Sequence, residues 1–425
     1  MDGAVILTFH GDPPKRLSIN KPAFGRKPML EARQSDLRKI SEMELEQLRS
    51  SDLLWRKRVL ESPSSAWVVV DGTKQLMLCS NNYLGLADNP HLKREAARAL
   101  RAYGVGSGAV RVISGTMALH VELEEELAKF KRTEAAITFQ SGFAANLGVI
   151  PCIVGEGDVA VSDELNHGSI IDGIRMSRAE KRVYRHADVG SLEEVLEGCG
   201  GFRRVLIVTD AVFSMDGDIA PLPEIAKLAK VHGAITYVDD AHGEGVLGEL
   251  GRGAVSHFGL EGQVDVEMGT FSKAFGSVGG YVAGDKAFCE LLYNKVRPFL
   301  LSGSHPPAVV AANLAAIRYV QKHPELIKRL WSNTAHFKKG LRELGFDIGR
   351  SQTPITPVMT GDSGLARSLA EELFREGVFV IPIVYPMVAR DRARVRTIVS
   401  AAHTEEDLDF ALGRFEKVGR KLKII

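Results

Sequence analysis

Gly269-Thr270-Phe271-Ser272-Lys273-Ala274-Phe275-Gly276-Ser277-Val278-Gly279-Gly280-Tyr281 sets a single lysine in a tract of glycines, small side chains and aromatics, with no other charge inside it. A surface lysine does not need that setting, although a Gly-rich loop with one solvated lysine is the plainer alternative. A lysine that must shed its proton and form a Schiff base does need it, because a dry environment disfavours the ammonium form. The tract grows out of Val266–Phe271, a strand candidate. Upstream, Asp239-Asp240-Ala241-His242-Gly243 directly follows the apolar run Ile235–Val238, so two acids and a histidine sit at a strand's carboxyl end. Capping of a following helix by aspartate is the alternative there.

Ala135–Phe139, Asp158–Ser162, Arg182–Tyr184 and Val205–Thr209 complete the set of strand candidates. Helix-like segments such as Leu192–Glu197 and Leu222–Val231 lie between them. Strand–helix alternation predicts an α/β domain with a mostly parallel sheet, whose ligands sit beyond the carboxyl ends of the strands. On the amino-terminal side, Trp67–Asp71 and Gln75–Cys79 predict a hairpin around Asp71-Gly72. The apolar spacing from Ser35 to Leu60 predicts an amphipathic helix. From about Ala308 the pattern changes to two long helices, then Ile355–Met359, a helix over Leu365–Glu376, Val378–Ile381, Arg394–Val399 and a closing helix from Glu405. The expected organisation is an irregular extension over 1–34, a helix-and-hairpin segment over 35–80, a large domain over 81–307 and a smaller α+β domain over 308–425.

Composition narrows the function. The 425 residues are 45% hydrophobic and 25% charged, as in ordinary globular proteins. Lys+Arg 54 against Asp+Glu 53 leaves a net charge of +1, which argues against a nucleic-acid binder working through bulk charge. Cys79, Cys152, Cys199 and Cys289 are scattered without metal-ligand spacing, so no disulfide framework or metal site is expected and a reducing cytoplasm fits. No stretch approaches the roughly 20 apolar residues that span a bilayer, and the first residues do not form a signal peptide.

Two glycine-containing motifs read differently. Gly104-Val105-Gly106-Ser107-Gly108 follows a helix-like segment, Lys93–Ala102, rather than a strand, so the dinucleotide-binding context is missing and a turn or cleft-lining loop is expected. Ser141-Gly142-Phe143 lies between the strand Ala135–Phe139 and a helical run, where free backbone N–H groups can face an anion; a common strand-to-helix turn is the alternative.

Taken in order, Asn82-Tyr83-Leu84-Gly85-Leu86, Ser141-Gly142-Phe143, Asp163…His167, Phe213-Ser214-Met215-Asp216-Gly217, Asp239-Asp240-Ala241-His242-Gly243 and Thr270-Phe271-Ser272-Lys273 resemble the α-oxoamine synthases, pyridoxal-phosphate (PLP) acyltransferases of fold type I. The likeness runs from about Leu48 to the C-terminus. It implies a large domain with a helix-covered, mostly parallel sheet and a smaller α+β C-terminal domain. It implies that Lys273 holds PLP as a Schiff base and then acts as a base, and that Asp239 pairs with the pyridine nitrogen. His242 and Ser214 are expected on the phenolic oxygen, and His167 over the ring with a part in proton transfer. Gly142 and Phe143 N–H groups and the Thr270 hydroxyl are expected on the phosphate, and Asn82 near the substrates. Of the alternating arginines Arg390 to Arg396, Arg396 best matches the residue that receives the amino-acid carboxylate, with Arg394 second. Ser302 matches a segment that reaches the partner's phosphate in a homodimer with shared active sites.

The reaction implied is a Claisen-type condensation of an amino acid with an acyl-CoA. Arg394–Thr397 with Ala401-Ala402-His403-Thr404, and Leu165–Gly173, are most similar to the glycine C-acetyltransferase branch (2-amino-3-ketobutyrate CoA ligases), so glycine and acetyl-CoA are the expected pair. Alanine with a pimeloyl thioester, as in 8-amino-7-oxononanoate synthases, and longer donors, as in serine palmitoyltransferase-like members, are the alternatives. An aminotransferase would share Lys273 and Asp239 without needing the Asn82 and Ser214 motifs. A non-catalytic partner subunit usually lacks the Schiff-base lysine, which this chain keeps.

Overall fold

The structure is a computed structural model describing residues 37–425 apart from 52 and 56. The chain divides into two compact units, Met1–Arg56 and Lys57–Ile425. In the first, helix α1 covers Leu37–Ser50, inside the span marked by the apolar spacing. The irregular reading of 1–34 lies outside the described residues.

The second unit opens with the hairpin β1 (Trp67–Val70) and β2 (Thr73–Met77). Asp71 and Gly72 both have positive φ, 47° and 74°, the conformation a tight two-residue hairpin turn demands. Helices α2 (Pro90–Tyr103) and α3 (Ala118–Lys131) follow, the former capped by the Asn89 side chain. The central sheet then builds from β3 (Ala135–Phe139), β4 (Val159–Asp163), β5 (Glu180–Tyr184), β6 (Val205–Asp210), β7 (Ile235–Asp239), β8 (Val266–Thr270) and β9 (Gly280–Gly284). Between β3 and β5 lie helices α4 (Gly142–Ile153) and α5 (Gly168–Ser177).

The strand order is β3-β9-β8-β7-β6-β4-β5, and β9 alone runs antiparallel to its neighbours. Every residue of β4, β6, β8 and β9 is buried, as expected for strands covered on both faces. Strand β9 was not legible as a strand. Its Gly280-Tyr281-Val282-Ala283-Gly284 run carries glycines at both ends, which weaken strand propensity. Gly280 is needed for close approach: a Cβ there would lie 2.5 Å from the Gly142 nitrogen.

The smaller α+β part carries β10 (Ile355–Gly361), β11 (Val378–Phe379), β12 (Ile381–Ile383) and β13 (Ala393–Ile398), with helices over Ser363–Arg375 and Glu405–Lys421. β10, β13 and β12 form one antiparallel sheet, while β11 joins the hairpin strand β2 in parallel. The helix Pro307–Lys322 packs against α2 and α3. Among the described residues no helix is long and apolar enough to cross a membrane, and no cluster could hold a metal ion.

Beneath the carboxyl ends of β7 and β8 lies a wholly buried charge cluster. Lys131 Nζ sits 2.8 Å from Glu267, 3.5 Å from Asp240 and 3.8 Å from Glu244. Burial works against the Lys131 ammonium, but the three carboxylates outweigh it and raise its pKa. Burial likewise pushes Asp240 up to about 7 and Glu244 well above the carboxylate range. Lys131→Met removes the one cation from three buried acids and should cost about 3–5 kcal/mol in urea unfolding. A carboxyl whose folded pKa is raised loses stability as pH climbs toward that pKa. The deficit should therefore be greater at pH 8 than at pH 6.

Candidate active site

The motifs meet at one edge of the central sheet because each lies just past the carboxyl end of a parallel strand: Ser141 after β3, His167 after β4, Ser214 after β6, His242 after β7 and Lys273 after β8. Such an edge is where an open α/β sheet keeps its ligands.

Lys273 lies in the loop between β8 and β9, where its carbonyl accepts from the Gly276 N–H and the loop closes with Phe271 N–H on Gly279 O. Burial lowers its amine to about 8, against the opposing pull of Asp239 and Asp210. The lysine is therefore poised between ammonium and free amine near neutrality. Asp239 is buried at the end of β7; one oxygen accepts from Asn146 Nδ2 at 2.8 Å and the other from the Ala241 N–H at 3.1 Å. Asp210 ends β6 in direct register with it. Burial, then the nearness of Asp239, raises the Asp210 carboxyl well above its ordinary range, and its Oδ2 accepts the His167 N–H at 2.7 Å.

His167 caps α5, and its Nδ1 lies 2.7 Å from Ser169 Oγ. Partial burial holds its pKa below the usual histidine value, with Asp239 and Lys273 pulling in opposite senses. His242 Nδ1 meets the buried Tyr83 hydroxyl at 2.7 Å, and burial pushes its pKa well down, so the ring is neutral. Ser214 is half-buried on the turn after β6.

The turn after β3 is built for an anion. Ser141 Oγ accepts from the Ala144 N–H, while no hydrogen bond among the described residues uses the N–H of Gly142 or Phe143. A Cβ on Gly142 would lie 3.5 Å from Thr270 Cβ, so the threonine borders this cradle. Thr270 Oγ1 donates to Gly279 O at 2.6 Å and pairs with Ser272 Oγ. Ser302 is half-buried beside this edge: Gln140 Nε2 donates to Gly303 O, and Ser304 Oγ lies 2.5 Å from Ser107 Oγ, which ties the Gly104–Gly108 loop down.

The two arginines separate. Arg394, 2% exposed, makes a 2.6 Å ion pair with Asp216 and donates to Met215 O, so it is committed to holding the Ser214 turn. Among the described residues the Arg396 side chain donates one hydrogen bond, to Asn81 Oδ1 at 3.2 Å, and its buried Nε has no partner. Asn82 spends its amide on Ser64 O and the Ala87 N–H, shaping its own turn. Arg390 and Arg392 precede β13 rather than lying on it, so only two of the alternating arginines share its face. Sequence reasoning missed Asn146, Ser169, Asp210, Tyr83 and Asn81. For Asn146 a signal existed: it is the one amide side chain in the otherwise apolar α4.

A half-buried, amine-poised lysine, a fixed carboxylate and an open helix N-terminus together fit a phosphorylated aldehyde cofactor. The class I and II aminotransferase family model matches residues 73–415, and the chain belongs to that family of fold-type I PLP enzymes. An 8-amino-7-oxononanoate synthase from Symbiobacterium thermophilum is 58% identical over 383 residues, covering 90% of this chain and 98% of the relative. One from Thermosipho melanesiensis is 56% identical over 382 residues, with 90% and 98% covered. Serine palmitoyltransferase from S. paucimobilis, solved with a bound PLP–myriocin aldimine, superposes with a TM-score of 0.88 at 34% identity, covering 92% of this chain and all of that one. Within the family the chain is an α-oxoamine synthase, a PLP-dependent acyltransferase that condenses an amino acid with an acyl donor.

Because the free amine is the form that captures an aldehyde, apo-protein should take up PLP at a rate that rises with pH through about 8 and then levels. Stopped-flow absorbance reads this directly, and Lys273→Ala should show no such phase. An inflection near the ordinary lysine value of about 10.4 would mean the amine is solvated.

Proposed function

We propose that this α-oxoamine synthase joins L-alanine to a pimeloyl thioester with loss of carbon dioxide, as an 8-amino-7-oxononanoate synthase. The observation that carries the reading is relatives of that name at 58% and 56% identity over 90% of the chain. The glycine and acetyl-CoA pair suggested by the C-terminal motifs gives way to this alternative.

In this reading Lys273, Asp239, His167, His242, Ser214, Thr270 and the N–H groups of Gly142 and Phe143 hold the cofactor. When bound, PLP supplies an electron sink for the amino acid's α-carbon. Asp239, fixed by Asn146, keeps a negative charge where the ring nitrogen is to stay protonated. Arg396 receives the amino-acid carboxylate; its unpartnered Nε and planar fork suit a bidentate acceptor. Lys273, with its amine lowered to about 8, takes the α-proton at Nζ. His242 and His167, both held neutral, donate hydrogen bonds without adding charge beside the lysine. Arg394, by pinning Asp216, keeps Ser214 and the Arg396 strand in fixed relation.

The chain is proposed to work as a homodimer with shared sites. Val105, Ile113 and Leu301, on the segments around Ser302, are 80%, 79% and 67% exposed, an apolar surface of the sort a second subunit covers. Full activity in a monomeric species on sedimentation would overturn this.

Coenzyme A release decides the substrate pair. L-alanine with pimeloyl-CoA should exceed glycine with acetyl-CoA at least about tenfold in kcat/KM, a difference of about 1.4 kcal/mol. The reverse order would return the assignment to acetyl transfer. Arg396→Ala should raise the KM for the amino acid about 10–100-fold, the scale of a charged hydrogen-bonded contact, and leave the KM for the thioester within about twofold.

A further inference from the structure

We infer that Asn146 and Ser169 are positioning residues that fix His167 as the Nε2–H tautomer, so that it presents a hydrogen-bond donor to the substrate side of the cleft. The inference deepens the reading above and rests on His167 lying over the cofactor. It does not depend on which acyl donor is used.

The argument starts at Asp239, whose carboxylate can only accept. It therefore fixes the orientation of the Asn146 amide: Nδ2 faces Asp239 Oδ2 at 2.8 Å, and Oδ1 must face the other way. There it accepts from the Tyr237 hydroxyl at 2.7 Å. Burial, and then Asp239, raise the Tyr237 pKa far above its ordinary value, so that hydroxyl remains a donor. The second hydrogen on Nδ2 goes to Ser169 Oγ at 2.9 Å. With its oxygen accepting from Asn146, Ser169 turns its own proton toward the remaining partner, His167 Nδ1, at 2.7 Å. The Ser169 backbone N–H approaches the same nitrogen at 3.3 Å. Two donors converge on Nδ1, so it is an acceptor, and the ring proton of the neutral imidazole resides on Nε2. The backbone end of His167 is held separately, by Asp210 Oδ2 at 2.7 Å. One amide thus couples the carboxylate meant for the ring nitrogen to the tautomer of the histidine meant for the ring face.

The wild-type holoenzyme, labelled with ¹⁵N-histidine, tests the tautomer itself. Long-range ¹H–¹⁵N correlations, with His167 assigned by the loss of its signals in His167→Asn, should show a protonated Nε2 and an unprotonated Nδ1 at pH 7.5. A protonated Nδ1 would overturn the inference. The second arm uses Ser169→Ala and the conservative Ser169→Thr. Ser169→Ala should lower kcat about 10–100-fold, the usual scale for losing a group that orients a working side chain, with substrate KM values within about twofold. Its PLP absorbance should be unchanged, because Asn146 still holds Asp239. Ser169→Thr, which retains a hydroxyl, should recover most of the rate. Wild-type kcat in Ser169→Ala would sink the proposal. So would a loss of PLP absorbance in that variant, which would mark Ser169 as part of the cofactor's own seat. If instead no thioester is turned over by the wild type while the ¹⁵N pattern is as expected, it is the substrate reading that fails.

Discussion

Asp239 ends β7 with its carboxylate out of water, and an ionised acid in that position costs several kcal/mol unless hydrogen bonds and a cation offset it. Two donors, the Asn146 amide and the Ala241 N–H, supply the hydrogen bonds. The Lys273 ammonium lies within reach of its charge, and burial lowers that amine to about 8. The carboxylate keeps the lysine from losing its proton outright, and burial keeps it from holding that proton at ordinary lysine strength. Parallel register delivers this arrangement: it sets Asp210 opposite Asp239 and Met268 beside Asp239, so that Thr270 follows two residues further along β8.

Directly behind that edge sits a second set of charges, Lys131 with Asp240, Glu244 and Glu267. The two sets share a backbone. Asp240 follows Asp239 in the chain, and Glu244 accepts the Thr270 N–H at 3.0 Å, three residues before Lys273. A cluster of three acids and one base has to carry protons to approach neutrality, which agrees with the raised pKa of Asp240 and Glu244. Through Glu244 the hidden cluster fixes where β8 stops and the lysine loop begins. The cleft is therefore shaped by electrostatics on both sides of the strand ends, although only one side is open to ligand.

What could be read in the sequence follows this logic. Short β-branched and apolar runs placed β3 through β8 to within a residue or two at each end, most sharply β4, β6 and β8, whose complete burial leaves a continuous signal. The motifs at their ends were visible because charged and glycine-rich segments interrupt that signal. β9 was hidden by its glycines: Gly280 lets the chain approach the Ser141–Gly142 turn, and Gly284 lies against the Asp265 carbonyl. Asn146, Ser169 and Asp210 were hidden for another reason. A residue that orients another side chain shows its importance only through distances across the fold, and neither spacing nor composition encodes these. Arg394 illustrates the converse: alternation placed it on the same face as Arg396, yet Asp216 had already claimed it.

The glycine and acetyl-CoA expectation, which the relatives support less well than the pimeloyl alternative, has a physical origin as well. The motif from Arg394 to Thr404, one of two that suggested acetyl transfer, commits most of its polar groups to the protein itself. Arg394 binds Asp216; Ser400 Oγ donates to the carbonyls of Asn82 and Tyr83 at 2.8 and 3.2 Å. His403 accepts from the Ser400 N–H through Nδ1, so its other nitrogen donates to Met77 O at 3.0 Å. These contacts weld β13 and the turn after it to the segment that carries Asn81 and Tyr83, and so set the height of Arg396 in the cleft. In the proposed reading the motif frames the amino acid's carboxylate, a group every amino-acid substrate has. A frame of that kind cannot distinguish a two-carbon donor from a seven-carbon one. Selection of the acyl chain depends on pocket walls spread over many segments, which is why resemblance along nine-tenths of the chain carries more weight on that question than any single motif.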